Sequence, residues 1–489
     1  MKSEKFYNKF RIALLSAFMV VWVLKKVIIF EFLMSHLVTY AFFGASVILL
    51  VYDLFTKRRF LTGKALYALL AFLVAILLSI FVNIKYGFVE NMATFGFIAI
   101  QIALFYSSTY SLTKDDIKRE IFIVGKVLVY TYSIFAFFLV TTYLLNLQYD
   151  VFIGESYLDF SEYYNQGFHM LYGRVFGLFY YPATVIISVA SIGLLFYFYV
   201  DEKRKSKKVW YAFVGIINFL AIVLCGARAV QYAFYIFVAF LVLVSLKKKW
   251  FLKCAAAVLS VILVFGVSLA VQKTIPYLQT AIYNVMPGQF YGWCDKAIEN
   301  VYGLSGYKTV VWTCYSYVDP NTGETIVDKN SLKLQDVERY DLEGKEVTNS
   351  RAELWSDAIS IWKSAPIFGT SPRNFFSYAE EYFPDSNITK TQRPPHNSYL
   401  DLLDFTGILG FIAMFGSGLW IGIYLLKNLK KSKDAGVFVS VNIAFLAYMM
   451  VESDVFLYYN IQSFVFWWIL GLAGTLVKLE EENEKISDC

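Results

Sequence analysis

Charge is what this chain has least of. Asp, Glu, Lys and Arg make up 17% of its 489 residues, while 58% are hydrophobic and 19% aromatic; soluble globular domains average about 25% charged residues. The mean hydropathy is +0.53. This shortage excludes a disordered chain and an ordinary cytosolic enzyme, and it puts the protein in a membrane. Cysteine is also scarce, at five residues. Cys225 and Cys254 lie in apolar runs and Cys489 is the last residue, so zinc spacing, a redox motif and a disulfide scaffold are excluded. Histidine occurs only three times, which narrows any search for a base. The formal charge of +6 comes from 44 Lys and Arg against 38 Asp and Glu. In a soluble domain that excess would suggest nucleic acid; here it fits the basic cytoplasmic loops of a polytopic protein, and nucleic-acid binding is set aside.

What is abundant is apolar runs of membrane-spanning length, about 20 residues each. Twelve are readable, at approximately 10–30, 32–55, 65–84, 88–110, 120–146, 174–200, 208–224, 229–246, 250–271, 399–426, 436–453 and 457–478. The sequence predicts an all-α polytopic membrane protein of about twelve transmembrane helices. The first run is interrupted by Lys25 and Lys26, which leaves an interfacial helix as its alternative. No small-residue cleavage site follows it, so a removable signal peptide is not expected.

Lys and Arg gather in alternate short loops, at Lys57 to Arg59, Lys114 to Arg119, Lys203 to Lys208, Lys247 to Lys249 and Lys427 to Lys431. By the positive-inside rule both termini face the cytoplasm. The 147–173 loop, with Asp150, Glu155, Asp159 and Glu162, then faces outside, as does the long hydrophilic stretch from Lys273 to His396. That stretch carries 15 Asp and Glu against 12 Lys and Arg and is long enough to be a subdomain. The expected organisation is nine helices over 1–272, an extracytoplasmic loop subdomain over 273–398, and three helices with a cytoplasmic tail over 399–489. Within the loop, Val310 to Val318, the turn residues Asp319 to Gly323, and Glu324 to Val327 read as a β-hairpin. Arg351 to Ser364 places Leu354, Trp355, Ala358, Ile359 and Trp362 at helical spacing, and Pro366 and Gly369 end it. This amphipathic helix lies along the membrane surface or packs on the loop's own core. Cys294 and Cys314 share the outer side and are the one pair that could form a disulfide.

Candidate chemistry falls on residues that break membrane rules. Arg174 and Arg228 sit at the outer ends of spans six and eight, where an ionisable group serves a site, a partner or a lipid phosphate. Arg393-Pro394-Pro395-His396-Asn397-Ser398-Tyr399-Leu400 leads into span ten. The two prolines fix the approach of the chain and hold His396 at the outer mouth of the bundle, where a neutral imidazole can accept a proton. His36, inside span two, and His169, in the 147–173 loop, read as structural. Asp404, two turns into span ten, needs an inward partner such as an arginine, or else fixes packing. Glu452, Ser453 and Asp454 end span eleven, either reaching the same place or facing the interface.

These stretches resemble the O-antigen ligase and O-antigen polymerase superfamily of bacterial surface polysaccharide assembly. His396-Asn397-x-Tyr399-Leu400 with Asp404, Gly407 and Gly410 looks like its most recognisable motif. Arg351 followed by Trp355, Ala358, Pro366, Gly369 and Phe375 is similar to the stretch before it. Arg228 after Gly226-Ala227 resembles the Ser-Arg-Gly element, with Ala227 and Ala229 in place of its usual neighbours; Arg174-x-x-Gly177 with Pro182 resembles the Arg-Gly-Pro-Asn element, with Ala183 where Asn is usual. The resemblance covers roughly 174–478.

The resemblance implies a GT-C-like, metal-independent, inverting glycosyltransferase without a cofactor. Its donor would be an undecaprenyl-diphosphate-linked glycan on the outer face of the bacterial cytoplasmic membrane, and its acceptor a glycan or a lipid-linked repeat. Arg228, Arg351 and Arg174 would take the diphosphate, since the guanidinium fork suits it and keeps its proton. His396 would be the base, Asn397 and Tyr399 would orient it or the sugar, and apolar grooves would hold the polyprenyl chain among membrane lipids. A chain-length regulator and a flippase are implied partners. Polymerase is favoured over ligase because the hairpin suggests an extended glycan surface. A lipid-linked oligosaccharide flippase or other transporter is the competing class, and a non-enzymatic scaffold a third.

Overall fold

A computed structural model describes residues 2–27, 30, 33–145, 170–171, 174–175, 177–285, 312–318, 325–334 and 351–487. His169 and Cys294 lie outside the described residues, as does the hairpin's turn.

The chain forms a helical bundle, in keeping with its long apolar runs. In order, the helices are α1 Lys2–Leu24, α2 His36–Thr56, α3 Leu66–Val82, α4 Phe88–Ile100, α5 Lys114–Leu144, α6 Ile186–Asp201, α7 Lys205–Leu224, α8 Arg228–Ser245 and α9 Trp250–Val285. Further along the chain come α10 Arg351–Ser364, α11 Phe375–Tyr382, α12 Asn387–Thr391, α13 Ser398–Asn428, α14 Lys433–Tyr448 and α15 Ile461–Ser487. Strands β1 Met170–Leu171 and β2 Arg174–Val175 pair antiparallel, as do β3 Trp312–Val318 and β4 Thr325–Leu334. Among the described residues, ten helices are long and apolar enough to cross a membrane. Two of the expected spans are shorter, α3 at 17 residues and α14 at 16. The protein is a multi-pass membrane protein.

Burial sorts the helices. In the apolar window of α15, 89% of residues are buried, against 11% in that of α9. The first is therefore the axis of the bundle. The second turns Val258, Leu259, Ile262 and Leu263 outward, an apolar face of a kind that belongs in lipid. Helix α1 is no interfacial helix. Tyr7, Leu15, Phe18, Met19 and Trp22 are all buried, and the helix packs against α5.

A buried ion pair fastens these elements. Arg11 of α1 pairs with Glu120 of α5, and its remaining donors reach Ser108 Oγ at 3.0 Å and the Leu104 carbonyl at 3.1 Å. The other Glu120 oxygen accepts from Trp468 Nε1 of α15 at 2.9 Å. Both charged side chains are 1% exposed. Their burial is tolerable because the donors and acceptors find partners; removing one member of such a pair costs about 3–5 kcal/mol.

One long apolar helix is broken, and the break holds the connection that follows α10. Within α13, Gly407 has φ 61° and ψ −169°, a conformation that a side chain would strain. A Cβ there would lie 2.2 Å from the Ile367 carbonyl oxygen. The backbone groups released by the break are taken up by the chain entering from α10: Ile408 N–H donates to Pro366 O at 2.9 Å, Thr370 N–H to Asp404 O at 2.8 Å and Ser371 N–H to Phe405 O at 3.0 Å. Ser79 Oγ of α3 also donates to Phe405 O, and Asn83 Nδ2 to Gly369 O, both at 2.8 Å. Gly369, at φ 70°, is the reciprocal contact, since its Cβ would sit 2.5 Å from Asp404 O. In a membrane an opened helix persists only where its freed groups are satisfied by protein in this way.

Candidate active site

His396 is reached through Pro394 and Pro395, the second of which is tied down by Trp355 Nε1 donating to its carbonyl at 2.9 Å. His396 itself has φ 52°, the left-handed region that is uncommon for residues other than glycine and that clusters where function requires it. Asn397 then returns to extended backbone and caps α13, its Oδ1 accepting from Tyr399 N–H at 3.0 Å and Leu400 N–H at 3.2 Å. Its own N–H donates to Ser453 Oγ at 3.0 Å, and Ser398 donates from N–H and Oγ to Glu452 O at 3.1 and 2.7 Å. The His396 turn is thereby stitched to the loop that follows α14.

That loop supplies the residue that links the others. Glu452 accepts from Arg351 Nη2 at 3.0 Å through Oε1, and its Oε2 lies 3.4 Å from His396 Nδ1. Three residues from α10, the start of α13 and the 449–460 loop meet at one carboxylate. The site is open: the side chains of Arg351 and His396 are 26% and 35% exposed. Beside it, burial raises the Asp454 carboxyl above the ordinary range; Lys26 opposes that rise, Glu452 adds to it and His396 opposes it. Lys26, one of the pair that interrupts the first apolar run, thus lies within electrostatic reach of the cluster. Its carbonyl accepts from Tyr180 N–H at 3.1 Å, and Val27 bridges Phe179.

Arg228 opens α8 two residues after Gly226, whose φ is 59°, and is half-buried. Helix α8 packs along α14. Tyr448, the last residue of α14, donates to Ala183 O at 3.3 Å and has Glu452, Arg351 and Cys225 in its electrostatic surroundings. The Pro182-Ala183 stretch and the Gly226 turn therefore come to the end of the bundle that carries Arg351, Glu452 and His396. Arg174 lies in β2 opposite Leu171, and its side chain is outside the described residues. Gly177, at φ 57°, presses against α5, where a Cβ would meet Leu139 Cα at 2.8 Å.

Other expectations change. The Tyr399 hydroxyl donates to Leu446 O at 3.0 Å and its ring meets Phe456 edge-on. Asp404 is buried without an arginine: neither carboxylate oxygen has a hydrogen-bond partner among the described residues, and its charged neighbour is Asp401. His36 is exposed and begins α2 instead of lying inside the span. In α10 the buried face is Leu354, Ala358 and Ile361, with Ile359 outside, because the helix packs on α13. Cys314 stands in β3, and with Cys294 outside the described residues the disulfide is not described. Glu452 was visible only as an acidic run ending an apolar span; the arginine and histidine it joins are 101 and 56 positions away.

Comparison with known proteins finds a match over part of the chain. Residues 212–415 match the O-antigen ligase family model. The match runs from α7 into α13 and takes in Arg228, Arg351, His396, Asn397, Tyr399 and Asp404; Arg174 precedes it and Glu452 follows it. No curated protein matches the chain. The O-antigen ligase match agrees with the superfamily resemblance read from the motifs and supports a role of the ligase or polymerase type in polysaccharide assembly.

Proposed function

We propose that this protein is a metal-independent, inverting glycosyltransferase that moves or polymerises a glycan from an undecaprenyl-diphosphate donor at the outer face of the bacterial cytoplasmic membrane. The observation that carries the reading is the Glu452 carboxylate between Arg351 and His396 at an open end of the bundle. A carboxylate facing Nδ1 favours the tautomer that leaves Nε2 free as a proton acceptor. The acceptor hydroxyl attacks the anomeric carbon and its proton passes to His396 Nε2. The bond from that carbon to the diphosphate oxygen breaks, and the electron pair leaves with the lipid diphosphate. Arg228, Arg351 and Arg174 stabilise the departing charge. Asn397 and Tyr399 act on the fold of the turn, and Asp404 sits below it. Helices α3 and α14 cross the membrane with the ten longer ones, both termini are cytoplasmic, and the segment between α9 and α13 is the outer subdomain. The paired strands β3 and β4 give the acceptor an extended surface, which favours a polymerase of O-antigen or capsule over a ligase. The acceptor is then a second lipid-linked glycan.

Complementation of a strain lacking the gene tests this. His396→Ala and Arg228→Ala are expected to reach the membrane at normal levels yet form no polymer, and loss of the base lowers the rate by about 10²–10⁴-fold. Single-repeat caps on the surface would mark a polymerase, and accumulated long lipid-linked chains a ligase. Normal glycan from both variants would sink the assignment in favour of a transporter or scaffold.

A further inference from the structure

A recess on the bundle uses residues outside the proposed transfer site. A cavity of about 390 Å³ lies between the starts of α2 and α4, the turn before α11 and the 449–460 loop, within the size range of small-molecule sites, about 300–1,000 Å³. Its fixed point is Arg373. The backbone N–H of Arg373 donates to Asn91 Oδ1 at 2.9 Å, Nε to Thr94 Oγ1 at 3.2 Å and Nη2 to the Tyr459 hydroxyl at 3.1 Å. The side chain is held by two elements and is nonetheless exposed to the cavity, so its remaining donors are oriented in advance.

Opposite charge and ring faces complete the lining. Glu90 stands in the first turn of α4, behind Gly87 at φ 56°, where a Cβ would come within 3.1 Å of Glu90 Oε2. Tyr459 stacks on Phe97 at 4.3 Å and 18°, and His36 stacks on Tyr40 at 6.1 Å and 23°. One arginine and one carboxylate in the same lining give no strong net charge, which disfavours a polyanion. Fixed donors and acceptors beside flat rings suit a ligand that is neutral, rich in hydroxyls and apolar on one face.

We infer that this cavity binds a short stretch of saccharide, a second glycan site on the same end of the bundle as His396. The saccharide class follows from the cavity's lining. That the sugar belongs to the glycan being transferred rests on the function proposed above. The 449–460 loop joins the two places, with Glu452 in one and Tyr459 in the other.

The test is binding by the purified full-length protein, read by saturation-transfer NMR and titration. The probe is the oligosaccharide released by mild acid from the surface polysaccharide of the cell that makes this protein. Arg373→Ala and the surface change Tyr40→Ala are expected to weaken binding about tenfold or more, whereas His396→Ala leaves it intact. In cells the two cavity variants are expected to shorten the chains without abolishing them. Absent binding to the wild type, binding indifferent to both cavity variants, or binding lost only in His396→Ala would each overturn the inference. Retained cavity binding together with normal glycan from His396→Ala would instead defeat the transfer reading and leave the cavity standing.

Discussion

Two clusters in this bundle are built from nearly the same parts. Each has an arginine joined to a glutamate that also faces a ring nitrogen, Arg11–Glu120–Trp468 in one and Arg351–Glu452–His396 in the other. They differ in what is left over. In the first, arginine and glutamate are 1% exposed, and hydrogen bonds account for the guanidinium and both carboxylate oxygens. In the second, the arginine and histidine keep open faces, and the ring nitrogen at the glutamate is separated from it by 3.4 Å. Closure makes a clamp; incompleteness leaves polar faces in the open. The same pair of side chains can thus serve structure or chemistry according to whether its hydrogen-bonding capacity is used up.

The comparison breaks if the closed cluster tolerates damage. Glu120→Ala strands the Arg11 charge in the interior, at a cost of about 3–5 kcal/mol, so the variant is expected to accumulate poorly and melt early in detergent. The double change Arg11→Met with Glu120→Leu is expected to recover much of that loss, because no charge remains to be buried; persistent instability would show that the pair does more than hold α1. Gly407→Ala is expected to act next most strongly. It forces an alanine into the left-handed region, at about 1–3 kcal/mol, and against the Ile367 carbonyl, with a lower melting temperature and reduced transfer because α13 carries the His396 turn. The smallest effect sharpens the contrast at the open site. Asn397→Ala removes a helix cap worth roughly 1 kcal/mol, so stability should fall slightly while transfer falls further, through misplacement of His396; equal losses in the two readouts would leave Asn397 a purely structural cap.

What the sequence made legible was whatever depends on neighbours along the chain. The apolar runs gave the helices, and Arg351 to Ser364 formed a helix with those bounds because its start and its Pro366 stop are local signals. His396 stood out because Pro394 and Pro395 precede it. What escaped depends on partners far away. Glu120 follows Lys118 and Arg119 at the start of the 120–146 run, and nothing beside it marks its partner, which is 109 positions off. The break at Gly407 needs Gly369 in the connection after α10, and a glycine in an apolar run gives no sign of which backbone will approach it. Arg373 was one of twelve basic residues in a hydrophilic stretch, and nothing in its neighbours announced Tyr459.

The main-chain bonds at the break in α13 bear on how this protein can vary. They join the 366–371 backbone to the membrane helix through N–H and carbonyl groups that almost any sequence supplies, with only Gly407 and Gly369 constrained by space. Substitutions elsewhere in 366–371 can therefore leave this join intact, so that the sequence of the connection is free to vary while Arg351, His396 and Glu452 keep their places.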